Sequence, residues 1–111
     1  MTTPLEAKDY LYSQFGSDPD LADLVELFVA EMPAKVATFE QHASAGDWKS
    51  LQVISHQLKG AAGSYGFSQL TEPALKVELA TREQQSEEAI LASVEELLGL
   101  CRRLRAGAEP N

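Results

Sequence analysis

The stretch WKSLQVISHQLKGAAGSYGF, residues 48–67, decides how this chain folds. Its apolar residues Leu51, Ile54, Leu58, Ala61 and Tyr65 recur every three or four positions, which is the period of a helix and not of a strand. On a wheel of about 100° per residue with His56 at zero, Ile54 and Leu58 lie about 160° away. Tyr65 falls at about 180°, and Leu51 and Ala61 at about 140°. The spacing therefore predicts a helix from Trp48 to Tyr65 that buries the side opposite His56. Asp47 stands where an N-cap is needed, and Gly66 ends the helix.

The side that carries His56 is the unusual one. Gln52 lies about 40° from it, Lys59 about 60°, Gly60 about 40° and Gly63 about 20°. A glycine inside an exposed helix costs roughly 0.8–1 kcal/mol relative to alanine. A simple account ends the helix at Gly60 with a glycine cap. Against it, Ala61, Ala62 and Tyr65 continue the apolar stripe and Gly66 already supplies a stop. The other account is clearance: without side chains beside the imidazole, another protein's active site can descend onto it.

A neutral imidazole is a good nucleophile near physiological pH, since its unperturbed pKa is about 6.5. Lys59, one turn on, can disfavour ring protonation and attract a phosphoryl group placed on the ring. Gln52, one turn back, can orient the imidazole by a hydrogen bond. The wheel places no carboxylate beside His56, so the partner of a general base is missing. His42 lacks such a strip and reads as a solvated surface residue. Two histidines 14 positions apart and one Cys101 make no ligand cluster, so no metal or other cofactor is expected.

Outward from this helix the pattern stays helical. A first segment, roughly residues 4–15, carries Leu5, Tyr10, Leu11, Tyr12 and Phe15 and reads as a short additional helix. Asp18-Pro19 opens a long helix striped by Leu21, Leu24, Val25, Phe28, Met32, Val36 and Phe39, with Pro33 predicting a bend, or a break. A fourth helix starts between Ser68 and Pro73 and reaches about Arg82, using Leu75, Val77, Leu79 and Ala80. Ser86, with Glu87 and Glu88 behind it, caps a fifth striped by Ile90, Leu91, Val94, Leu97, Leu98, Cys101 and Leu104. The expectation is an all-α, up-down four-helix bundle over residues 18–105, with a short N-terminal helix within residues 1–15 and a flexible tail at 106–111. Cys101, on the stripe, is expected to be a buried thiol.

Length and charge narrow the function. The 111 residues make one domain, and 44% hydrophobic content suffices for one core. With 17 acidic against 9 basic residues and a net charge of −8, the surface repels nucleic acid and anionic lipid. The cluster Arg102, Arg103 and Arg105 sits where a helix should end, complementing its dipole. No apolar stretch approaches the roughly 20 residues that span a bilayer, and no secretory leader pattern follows Met1. A cytoplasmic monomer is expected, the lone cysteine fitting a reducing compartment.

From His56 to Phe67 the run His-Gln-Leu-Lys-Gly-Ala-Ala-Gly-Ser-Tyr-Gly-Phe resembles the signature of histidine phosphotransfer (HPt) domains, and the likeness extends over roughly residues 18–105. The resemblance implies a phosphoryl carrier: His56 is phosphorylated on its outer ring nitrogen and exchanges the group reversibly with receiver-domain aspartates. It assigns Lys59 to steady the phosphoryl group and Gly60 and Gly63 to give clearance. Mg²⁺ would belong to the partner receiver. Ala74 stands where relatives often have cysteine, and Glu78 and Arg82, in the similar stretch of the fourth helix, are placed on the histidine side or else form an ordinary surface ion pair. Partners would be response-regulator receivers, a hybrid sensor histidine kinase, or both.

Other readings are distinguishable. Phosphotransfer domains of chemotaxis-type kinases carry a very similar strip, and a phosphotransfer domain of a chemotaxis-type or hybrid histidine kinase is the alternative, although a chain of this length beginning with Met1 and ending in a polar tail looks like a stand-alone carrier. The chain has no P-loop and no room for an ATP-binding domain, so intrinsic kinase activity is not expected. A receiver-binding adaptor would work without His56. A hydrolase would need a nucleophile that the strip lacks. For receiver docking, Val53, about 60° from His56, is the first apolar rim residue, with Leu11 or Phe15 as further candidates.

Overall fold

The computed structural model describes residues 9–109. Four helices, α1 (Ala22–Ala45), α2 (Trp48–Ser64), α3 (Thr71–Arg82) and α4 (Glu87–Cys101), are joined by connections of a few residues, which set neighbours antiparallel in an up-down bundle. A 3-10 turn at Ser68–Leu70 leads into α3. α2 packs most closely on α3, α3 on α4, and α1 closes the bundle against α2 and α4.

Each boundary has a local cause. Asp47 accepts the Ser50 N–H and caps α2, and Ser86 accepts the Ala89 N–H and caps α4. α1 runs through Pro33 without a break; the proline stands at an exposed position. α2 continues past Gly60 and Gly63 to Ser64, so neither glycine is its cap. Gly66 is the stop: its φ is +81°, and a Cβ there would lie 2.5 Å from Ser13 Oγ. α3 ends in a left-handed residue, Gln84 at φ +53°, with Gln85 N–H reaching back to the Ala80 carbonyl.

The core joins Val25, Phe28, Met32, Val36 and Phe39 of α1 to Leu51, Leu58 and Ala62 of α2, Val77 of α3 and Ile90, Val94 and Leu97 of α4. Phe28 stacks on Tyr65 at 4.8 Å and on Phe67 at 5.7 Å. Cys101 is buried, as its place on the stripe predicts. Two stripe residues are exposed, Leu24 at 46% and Leu91 at 37%, and Leu21, Leu75 and Leu79 are only half-buried outside the core. Leu24 and Leu91 sit at the margin of their helix's apolar arc, and in a bundle of this size each helix buries only the centre of that arc.

The ends of the chain differ from expectation. Residues up to 8 of the anticipated N-terminal helix lie outside the described residues. Within the described part, Leu11–Tyr12 form a short strand, β1, parallel to β2 (Leu104–Arg105), Leu11 opposite Leu104 and Tyr12 opposite Arg105. α4 accordingly stops at Cys101, short of the arginines expected in its last turn. The buried Leu104 anchors the pair, and the Arg105 guanidinium lies 3.9 Å from the Tyr10 ring. Ser13 donates to the Tyr65 carbonyl and Gln14 N–H to the Gly66 carbonyl, so the segment after β1 grips the end of α2. The tail passes close to Gly16, where a Cβ would collide with the Gly107 carbonyl. Among the described residues no helix is long and apolar enough to cross a membrane.

Candidate functional site

His56 sits in the middle of α2 with its side chain 65% exposed, on the side away from the core, as the wheel predicts. α2 and α3 are the most closely packed helices, and each buries small residues, Ser55 and Ala62 on α2 and Ala74 and Thr81 on α3. Small residues at a helix contact shorten the distance between axes. A side chain of α3 can then reach around to the exposed strip of α2, and the one that does so is Glu78.

Glu78 is 3% exposed and joins three groups. Its Oε2 lies 2.9 Å from His56 Nδ1, and its Oε1 accepts a 2.9 Å hydrogen bond from Lys59 Nζ. The Arg82 guanidinium, one turn along α3, donates to Oε2 as well. Taking a carboxylate out of water costs several kcal/mol, and only partners of this kind offset it. The Lys59 ammonium, followed by the His56 hydrogen bond, holds the Glu78 carboxyl below the usual carboxylate range against the opposing effect of burial. Among the described residues no buried side-chain nitrogen or oxygen lacks a partner.

The ionised carboxylate can only accept, so Nδ1 must be the ring nitrogen that carries the proton. In the neutral ring the lone pair then resides on Nε2, on a side chain that is mostly in solvent. The cations Lys59 and Arg82 outnumber the one carboxylate, so a positive local charge surrounds the imidazole of a chain whose net charge is −8. An anion approaching Nε2 meets that excess charge.

Several expectations change here. A carboxylate does stand beside His56, contrary to the single-helix reading, because it comes from another helix. Lys59 is 28% exposed and already paired with Glu78, so it is not a free ammonium facing the ring. Gln52 is half-buried, and the side-chain hydrogen bond of His56 runs to Glu78, so orientation of the imidazole comes from α3. Arg82 joins the histidine side through Glu78.

Other site residues lie where the wheel puts them. Val53 is 44% exposed on the His56 side, whereas Leu11 and Phe15 are partly buried against the core. A Cβ built at Gly60 or Gly63 meets nothing within 4 Å, so no contact inside the chain requires either glycine. Among the described residues no group of three His, Cys, Asp or Glu side chains is arranged to hold a metal ion.

The family model of the Hpt domain matches residues 23–107, which take in α2, α3 and α4, all but the first residue of α1, and the whole His56 cluster. The phosphorelay protein LuxU of Vibrio harveyi is 30% identical over 78 residues, covering 70% of this chain and 68% of the relative. No solved structure matches the chain significantly. By the extent of that match and the likeness to LuxU, this chain belongs to the Hpt domain family.

Proposed function

We infer that this Hpt domain serves a phosphorelay by carrying the phosphoryl group on His56 Nε2. Histidine phosphotransfer in a phosphorelay is the function that its family membership and its likeness to LuxU support. The observation that carries the residue assignment is the pairing of an exposed imidazole with a buried carboxylate at Nδ1. That pairing keeps the proton on Nδ1 and the nucleophilic lone pair on Nε2.

The geometry supports the following chemistry. The Nε2 lone pair attacks the phosphorus of a receiver's aspartyl phosphate, the N–P bond forms, and the aspartate leaves as carboxylate. The ring is then an Nδ1-protonated phosphoimidazolium, whose positive charge is favoured by Glu78 2.9 Å away. In the reverse step the same proton lets the ring depart as neutral imidazole. Lys59 and Arg82 offset the phosphoryl charge, and Gly60 and Gly63 leave room for the partner's site. Any Mg²⁺ needed belongs to the partner receiver, and this chain contributes neither cofactor nor ATP-dependent kinase activity. It acts as a cytoplasmic monomer that meets receivers or a hybrid kinase through the His56 strip, with Val53 on the apolar rim.

The test is transfer from a panel of phosphorylated receiver domains, followed as acid-labile, base-stable phosphate on this chain. The wild type should take label and His56→Gln none. Receiver binding without label on the wild type would decide for an adaptor.

A further inference from the structure

Beside the His56 strip, toward the start of α2, the surface opens into a cleft of ≈ 520 Å³. Lys49 and Gln52 of α2, Arg82 at the end of α3, and Gln84 and Gln85 of the α3–α4 connection line it. Lys49 stands seven residues before His56, two turns or roughly 10 Å along the same side of the helix. The cleft is therefore continuous with the transfer surface but contains none of the atoms that carry the phosphoryl group.

Two observations say what it takes. The chain has only 9 basic residues against 17 acidic ones, yet Lys49 and Arg82 line this cleft with three glutamines and no Asp or Glu is among the lining residues; the one carboxylate at its edge, Glu83, accepts from Gln85 Nε2. Gln84, moreover, holds φ +53°, a left-handed conformation that glycine adopts without strain and a side-chain-bearing residue does not. At the end of a helix glycine is the usual occupant of such a position. Gln84 is one of the residues lining the cleft, and strain of this kind points to use of the side chain.

We propose that this cleft is the partner-selecting subsite of the domain and receives an acidic side chain of the receiver, beside the one whose aspartate exchanges the phosphoryl group. The proposal rests on the carrier reading given above. Arg82 is shared between the two sites: one edge of its guanidinium holds Glu78, and its remaining N–H groups are available to the incoming carboxylate. Docking there anchors the receiver two turns from His56, so its effect falls on encounter and not on the chemical step.

The test compares wild type, Lys49→Glu and Gln84→Gly in two reactions. Phosphoramidate, a small donor that needs no docking surface, should load His56 equally in all three. Transfer from the phosphorylated receiver that discharges fastest to the wild type should show KM raised about tenfold in Lys49→Glu and severalfold in Gln84→Gly, with kcat within twofold. The wild-type dependence on salt should be flatter in Lys49→Glu. Equal KM values in all three proteins would overturn the subsite while leaving the carrier reading intact. A Lys49→Glu defect of the same size with phosphoramidate would mean a small anion and not a receiver side chain, and would overturn it too. A wild type that loads from phosphoramidate but exchanges with no receiver would overturn the carrier reading, and the subsite with it.

Discussion

The chain holds two histidines, each near a carboxylate, and only one pair has the geometry that the proposed transfer needs. His42 lies 3.7 Å from Asp47, its own side chain 27% exposed and the carboxylate 44% exposed. His56 lies 2.9 Å from Glu78 with the exposures reversed, ring outside at 65% and carboxylate inside at 3%. Asp47 is committed elsewhere: it accepts from the Ser50 N–H and hydroxyl, and the hydroxyl bond is the first cause of its lowered pKa. Glu78 has no such structural duty to a helix end. A carboxylate orders an imidazole for nucleophilic work when it is itself fixed and dry and leaves the second nitrogen in water. Closeness in sequence contributes nothing, since His42 and Asp47 share a turn while His56 and Glu78 are on different helices.

The largest effect that this contrast predicts is at the rings themselves. His56→Gln should lower receiver-dependent labelling by more than about 10³-fold, while His42→Gln leaves it within twofold, because loss of a covalent nucleophile removes the reaction path. Labelling that survives in His56→Gln and vanishes in His42→Gln would reverse the assignment.

Next comes the carboxylate. Glu78→Gln keeps the shape but turns an amide toward Lys59 and Arg82, and should slow transfer about 10–100-fold, mainly in kcat. Glu78→Ala should in addition cost roughly 1–3 kcal/mol of stability by urea titration, the range for a broken buried network whose cations can rehydrate. Full-rate transfer in Glu78→Gln would leave Glu78 a purely structural role.

A smaller effect is the pH profile of stability. The folded pKa of Glu78 is lowered, so its contribution is complete above its unfolded value near 4.5 and is lost as pH falls toward the lower folded value. Glu78→Gln should flatten that acid limb. At the other extreme, burial pushes the Cys101 thiol up to about 12 from 9.0. The unfolded chain therefore releases that proton first, and stability should decline between pH 9 and 12. Cys101→Ala should remove this decline, as thermal unfolding across the range would register.

The smallest is Asp47→Ala. Loss of an N-cap should lower Tm by roughly 3–8 °C with transfer kinetics unchanged. A change in kcat would mean that the start of α2 also tunes the ring.

Much of the fold was legible because helices announce themselves by period. The caps at Asp47 and Ser86, the stop at Gly66 and the burial of Leu51 and Leu58 opposite His56 all follow from neighbours in sequence. β1 and β2 were not legible, since two residues carry no alternation and their pairing depends on Leu104 finding the core from the far end of the chain. At the site, His56, Lys59 and the open glycines could be read from one wheel. Glu78 could not be fixed there, because a wheel describes one helix and the contact depends on how closely α2 and α3 approach. The signal available was the pairing of Glu78 with Arg82 one turn apart on a helix otherwise small and apolar on its inner side.

The pairing of β1 with β2 has a mechanical consequence. The two strands run parallel, so the chain enters at one end of the pair and leaves at the other. Tension applied through whatever is attached at either end slides Leu11 along Leu104 and loads the pairing in shear, with all its bonds strained together and none unzipped singly. The bundle behind it, with His56 at mid-helix, is reached by the pull only after this small clasp has given way.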